Sequence, residues 1–118
     1  MAVAPDVRVF SATQSKDPIG TLAIPVRDSV SAPTVMSLVT SALGGEWLPP
    51  GASIDVLICQ GNVLTMQRNA LVQRMRGDWI LFVDDDMVFQ PDQVGKLIAS
   101  REEHDFDMVG GLCFRRYP

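Results

Sequence analysis

At 118 residues, with 47% hydrophobic and 20% charged side chains, the chain has room for one domain built on one modest core. Ten basic against 14 acidic side chains leave a net charge of −4, which excludes a broad electrostatic surface for nucleic acid or anionic lipid, so any phosphate site has to be local. No apolar stretch approaches the roughly 20 residues that span a bilayer, and no basic segment leads into an apolar one at the N-terminus; a cytoplasmic protein without a transmembrane segment is expected.

A short strand-like run over residues 7–10 opens the chain, followed by a polar loop ending in Asp17-Pro18-Ile19-Gly20. Thr21-Leu22-Ala23-Ile24-Pro25 reads as the first core strand, closed by a proline that a central ladder would not accept, with a ligand-facing loop beginning at Val26-Arg27-Asp28. From residue 32 to 43 the apolar positions 32, 35, 36, 39, 42 and 43 form a helical stripe, with Ser31 as cap, Pro33 in the first turn and Gly44-Gly45 as the stop. Ile54-Asp55-Val56-Leu57-Ile58-Cys59 reads as a second buried strand, bounded by Pro49-Pro50-Gly51 and Gln60-Gly61-Asn62.

A helix over residues 63–76 is expected to bury Leu64, Leu71, Val72 and Met75, with Arg68 in the same stripe. Side chains on a helix tilt toward its N-terminus, so Arg68 is expected to point at the crevice beyond the strand ends. After Gly77, Trp79-Ile80-Leu81-Phe82-Val83 forms the next strand, Phe89-Gln90-Pro91-Asp92 opens a helix that buries Val94, Leu97 and Ile98, and Asp107-Met108-Val109 makes a last short strand with an open sheet edge. This alternation predicts an α/β fold with a mainly parallel sheet and helices on both faces, and no repeat. The polar residues at Arg27, Gln60 and Asp84 should then share one edge. Cys59 and Cys113 are too few and too far apart for a metal or redox pair and read as buried thiols.

Asp84, Asp85 and Asp86 end the buried strand. Adjacent carboxylates repel and resist desolvation, so packing does not account for them, and a divalent cation, Mn²⁺ or Mg²⁺, is the simplest partner. Were the chain extended, Asp84 and Asp86 would point to one side about 7 Å apart. A phosphate approaching without a cation would meet about 4 kcal/mol of repulsion per unit-charge pair at 4 Å and an effective dielectric of 20.

The apolar strand, the D-x-D step and the Pro-Asp helix start within residues 80–92 resemble the nucleotide-sugar site of GT-A fold glycosyltransferases. Gln67-Arg68-Asn69-Ala70-Leu71-Val72 is similar to the A-R-N helix of the large inverting family 2, Leu22-Ala23-Ile24-Pro25 to its first strand, and Asp107-Met108-Val109-Gly110-Gly111 to the strand after the D-x-D helix. The resemblance covers residues 21–116 in order. It implies a GT-A/Rossmann-like nucleotide-binding half in which Asp86 ligates the metal, Asp84 contacts the metal or ribose, and Asp85 is the variable middle residue. Arg68, with Asn69 beside it, and the loop Pro25, Val26, Arg27 and Asp28 would hold the base. It implies a nucleotide-diphosphate sugar as donor, an unspecified acceptor, and Lewis-acid help to the leaving diphosphate.

Two departures from the family pattern shape the expectation. Only Gln60-Gly61-Asn62 stands where the family has a further βα element, so the base-binding edge should be abbreviated. The family's acceptor-binding half and catalytic base fall beyond residue 118, so residues 1–118 are expected to be one donor-binding domain, with the base unassigned and the partner a complementing C-terminal half or a second copy. Glu102, Glu103, Asp105 and His104 read as a solvated helix end, and Arg115 and Arg116 as a basic terminus. Two rivals stand beside this reading: an interaction module without turnover, and a haloacid-dehalogenase-type phosphatase with Asp84 as nucleophile and Asp86 as acid/base. The phosphatase motif belongs to the first strand of its fold, whereas several elements precede it here. A nucleoside triphosphatase is excluded by the lack of a G-x-x-x-x-G-K-[ST] loop.

Overall fold

The computed structural model describes residues 7–13, 16–44, 47–105 and 107–108. In chain order its elements are β1 (Arg8–Ser11), β2 (Thr21–Val26), α1 (Ala32–Gly44), β3 (Asp55–Gln60), α2 (Leu64–Arg74), β4 (Ile80–Phe82) and α3 (Pro91–His104). The strands form one sheet in the order β1-β3-β2-β4. β2 is parallel to both β3 and β4, while β1 runs antiparallel along the outer side of β3. The expected mainly parallel sheet is therefore present, with its C-terminal ends at Val26, Gln60 and Phe82 on one edge.

Alternation along the strands divides the core into two layers. Leu22, Ile24 and Val26 of β2, with Ile54 and Val56, pack against Leu38 of α1 and Val94 of α3. On the opposite face Ala23, Leu57 and Cys59 meet Leu71 of α2, with Ile80 and Phe82 at the margin. Helices cover both faces, as the alternating pattern requires. Full burial of Leu22 and Ile24 contributes about 1.5–3 kcal/mol each.

Pro25 lies inside β2 rather than at its end, paired with Cys59, and the strand continues to Val26. Thr21 N–H donates to the Trp79 carbonyl and Val83 N–H to the Ala23 carbonyl, both at 2.9 Å, so the odd residues of β2 turn their backbone toward β4. By that parity Pro25 faces a side where β4 has already ended, and its missing N–H leaves no gap in the ladder.

Two helices bury faces that differ, wholly or in part, from those periodicity picks. The first part of the α1 apolar stripe looks outward, with Val35 40%, Met36 61% and Val39 43% exposed, while Thr34, Ser37 and Leu38 are buried. In α2 Leu71 is buried as expected and Met75 is half-buried, but Leu64 and Val72 are exposed and the other buried residue is Gln67. Gln67 explains this rotation. Its side-chain amide donates to the Val26 carbonyl at 2.7 Å and the Cys59 carbonyl at 2.9 Å, tying α2 to the ends of two strands. The helix also stops at Arg74, two residues short of the expected end.

The N-terminal edge of the sheet is locked by Arg76, whose Nε and Nη2 donate to the two oxygens of buried Asp55 at 2.8 and 3.1 Å. The hydrogen bond to Asp55 raises the Arg76 pKa further above its ordinary value. Thr21 Oγ1 donates to the Arg76 carbonyl at 2.8 Å and lies 3.1 Å from Arg76 N–H, so the same residue fastens the chain to β2. At Gly77, φ is +89° and a Cβ would stand 2.4 Å from Gly20 N, so only glycine fits the turn into β4.

Helix α3 begins as expected, with Pro91 in its first turn and a reciprocal Gln90–Gln93 capping box. Val94 is fully buried, and Leu97 and Ile98 are half-buried. Asp107 and Met108 join no strand, Met108 being 88% exposed, and residue 109 of the expected last strand lies outside the described residues. Among the described strands β4 therefore forms one edge of the sheet, opposite β1. No described helix is long and apolar enough to cross a membrane.

Gln67→Met keeps the side-chain volume and removes the amide, leaving two strand-end carbonyls short of a donor. A stability loss of about 1–3 kcal/mol is expected in urea denaturation. An unchanged midpoint would show that α2 is not held through this side chain.

Candidate functional site

The C-terminal edge of a parallel sheet is where loops from successive βα units converge, and the polar residues of this chain gather there. Beyond β4, Val83 N–H makes one more bond to β2 and the chain then turns rather than running on. Met87 N–H donates to the Asp84 carbonyl at 3.3 Å, closing a turn with Asp85 and Asp86 at its centre. The extended D-x-D geometry expected from the sequence is thus replaced by a reverse turn. The ladder on β2 stops at Phe82, and Met87 and Phe89 are drawn back onto the core layer under α1 and α3.

Helix α1 fixes this turn through main chain and hydroxyls. Ser31 N–H donates to the Asp85 carbonyl at 3.1 Å, and Ser31 Oγ accepts from Thr34 N–H at 3.3 Å as the helix cap. One turn further, buried Ser37 donates from Oγ to the Pro33 carbonyl at 3.1 Å and accepts Phe89 N–H at 3.0 Å. These contacts account for the polar inner face of α1. Neither Ser37 nor Gln67 stood out in the sequence, although each is a hydrogen-bonding residue placed between apolar helical positions.

The carboxylates themselves are left over. Asp84 and Asp86 are exposed and Asp85 is half-buried. None of the three has a side-chain ion pair or hydrogen bond among the described residues. Nor do any three His, Cys, Asp or Glu among the described residues gather closely enough to cage a metal. Hard carboxylate oxygens are of the kind Mg²⁺ or Mn²⁺ prefers, but to hold such an ion these would need the remaining oxygens to come from a ligand's phosphates.

A polar cleft of about 310 Å³ lies farther along the same edge, lined by Arg8, Arg27, Asp28, Gln60, Gly61 and Asn62. It sits over the ends of β2 and β3, with Arg8 entering from β1 directly opposite Gln60. Gln60 Nε2 donates to the Arg27 carbonyl at 3.5 Å, steadying the loop. The loop from Arg27 to Ser31 joins this cleft to the acidic turn, since it ends on the Ser31–Asp85 bond.

Other sequence candidates fall elsewhere. Pro25 and Val26 are buried in β2, and the Val26 carbonyl is taken by Gly61 N–H and Gln67. Arg68 is on α2 with its guanidinium carbon 5.7 Å from the centre of the Phe82 ring, on the α2 face of β4 and two residues before Asp84 in the ladder strand. That places it beside the acidic turn rather than in the cleft. Asn69 is exposed on α2. Burial pushes the Cys59 thiol pKa up, which suits a core residue and not a nucleophile. A larger cavity of about 750 Å³ runs between β4 and α3, lined by Phe82, Val88 and Leu97 among others, and includes none of the three aspartates.

Comparison with known proteins gives one match. The model of glycosyl transferase family 2 fits residues 54–118, more than half of the chain, and takes in β3, α2, β4, the acidic turn and α3. No curated protein matches, and no solved structure does. A small α/β unit with three parallel strands and helices on both faces agrees with a GT-A/Rossmann-like half. The chain belongs to glycosyl transferase family 2, enzymes that pass a sugar from a nucleotide-linked donor to an acceptor.

Proposed function

We propose that this chain binds the nucleotide-diphosphate sugar of a metal-dependent glycosyl transfer along the C-terminal edge of its sheet. The observation that carries the reading is the acidic turn: three carboxylates held out by main-chain bonds, with no partner of their own among the described residues. Asp86 and Asp84 would hold Mn²⁺ or Mg²⁺ together with the donor diphosphate. When bound, the ion supplies Lewis-acid stabilisation of the charge that collects on the diphosphate as the glycosidic bond breaks.

The chain's own residues supply the rest. Neighbouring strands lie about 4.8 Å apart, so the end of β4 is about 10 Å from the end of β3, the scale of a nucleoside diphosphate laid across strand ends. The diphosphate falls at the acidic turn and the base over β2 and β3, beside the Arg27–Asp28 loop. Arg68, held against Phe82 near the turn, contributes positive charge to the phosphates, in place of the base-holding role that the resemblance implies. The phosphatase reading does not survive the family match and the position of β4, a late edge strand rather than the first strand of the fold.

Titration with uridine or guanosine diphosphate should show binding with Mn²⁺ and none without it, and Asp86→Ala should abolish it. Metal-independent affinity, or an unaffected variant, would count against the site. Transfer to an acceptor, or slow donor hydrolysis, is the further outcome that separates an enzyme from a binding module.

A second test concerns the scaffold of the turn. Ser37→Ala strands the Phe89 N–H, so a stability loss of about 1–3 kcal/mol should come with weaker metal-dependent nucleotide binding. Stability lost at full affinity would mean that the turn keeps its position without α1.

A further inference from the structure

Asp84 leaves the ladder with a backbone N–H that β2 does not take. The Trp79 carbonyl and the Val83 N–H both bond to β2, so by strand alternation the Asp84 N–H turns away from that strand. It donates instead to Sδ of Met87 at 3.4 Å, while Met87 N–H donates to the Asp84 carbonyl at 3.3 Å. Asp84 and Met87, which flank Asp85 and Asp86, are therefore clasped twice. Met87 is itself half-buried and packs on the core layer beneath α1 and α3.

We propose that Met87 is a positioning residue for the donor's metal and diphosphate: its thioether, anchored in the core, fixes the peptide that presents Asp84 and so sets how the Asp84 and Asp86 carboxylates stand to each other. This rests on the donor-site reading above. The residue type follows from its surroundings. A carboxylate acceptor at position 87 would add a fourth negative charge to the turn, and an aspartate of the turn that bonded the N–H itself would give up an oxygen. A thioether is uncharged, accepts a hydrogen bond and has an apolar body, so one side chain can hold the N–H and still bury against the core. Mg²⁺ and Mn²⁺ prefer oxygen to thioether sulfur, which leaves Met87 outside the ligand set.

Sulfur is a weak acceptor and Asp84 is exposed, so water can replace the lost bond. Removing it should accordingly cost about threefold to tenfold in affinity, the range of one ordinary hydrogen bond. The loss should fall on the metal and phosphate part of the ligand.

Two substitutions separate the acceptor from the packing. Met87→Leu keeps an apolar side chain of similar volume and removes the acceptor. Met87→Gln keeps the length and offers an amide oxygen, at the expense of apolar burial. Calorimetric titration in Mn²⁺ with pyrophosphate and with uridine diphosphate reads the turn, and amide hydrogen exchange followed by NMR reads the Asp84 N–H. Met87→Leu should weaken both ligands by the same factor, about threefold to tenfold, and speed exchange at Asp84, while the thermal midpoint holds and the Val83 and Phe89 amides keep their protection. Met87→Gln should melt at a lower temperature yet bind more tightly than Met87→Leu. Full affinity in Met87→Leu, or affinity that follows thermal stability across the two variants, overturns the role of Met87 while the donor site stands. Failure of the unsubstituted chain to bind pyrophosphate or uridine diphosphate in Mn²⁺ overturns the donor-site reading and this role with it.

Discussion

Three adjacent carboxylates can be presented at one point only if something other than their charges holds the chain, and here the main chain does so. The Asp84 carbonyl closes the turn, the Asp85 carbonyl takes Ser31 N–H, and Phe89 N–H is anchored on Ser37. Side-chain salt links would have consumed the acidic oxygens. Backbone anchoring leaves Asp84 and Asp86 exposed and Asp85 half-buried, where solvent and salt reduce their mutual repulsion, and a multivalent cation can replace part of that solvent without first breaking a protein contact.

That arrangement has a consequence for helix α1. A hydroxyl that reaches the turn has to face the sheet, and with Thr34 and Ser37 inward the apolar row Val35, Met36 and Val39 faces out. Leu38 and the alternating residues of β2 and β3 still close the core layer beneath it. The orientation of α1 thus follows from positioning the acidic turn rather than from burying the most hydrocarbon. Helix α2 repeats the compromise with Gln67, whose amide bonds two strand-end carbonyls where an apolar residue would leave them without that donor.

The same distinction separates what the sequence revealed from what it hid. Strands β2 and β3, the cap at Ser31, the Pro-Asp start of α3 and the shared polar edge were legible because each has a local cause: alternation, a capping hydroxyl, a fixed proline φ, a parallel crossover. Hydrophobic periodicity also named apolar stripes on α1 and α2, but it finds the face richest in hydrocarbon and has no term for a helix rotated by a hydrogen bond to a distant strand. Ser37 and Phe89 are 52 residues apart, and Gln67 and Val26 are 41 apart. The turn at Asp85 and Asp86 was hidden for a related reason. Strand composition continues through Val83, while the point at which the ladder stops depends on the length of its partner and on where Met87 and Phe89 find the core. The strand-like run over residues 7–10 was legible as β1, but nothing local signalled its antiparallel pairing with β3, which sets Arg8 opposite Gln60.

The two edges of the sheet use charge in opposite ways, and the contrast bears on which residues serve structure. At the N-terminal edge, Asp55 is buried and bound by both arms of the Arg76 fork, which also ties α2 to β2 through Thr21. Removing either partner there strands a charge or opens a crossover, so those residues belong to stability. At the C-terminal edge the carboxylates of the acidic turn and the side chains of Arg27 and Asp28 sit on short loops that are fastened by their backbones, and neutralising one of them breaks none of the anchoring bonds. A substitution at Asp86 or Asp28 should for that reason alter binding with little effect on folding, and a substitution at Asp55 the reverse. Family membership identifies the reaction class, and the proposal that the ligand lies at the C-terminal edge draws on the acidic turn, whose three side chains have no partner among the described residues.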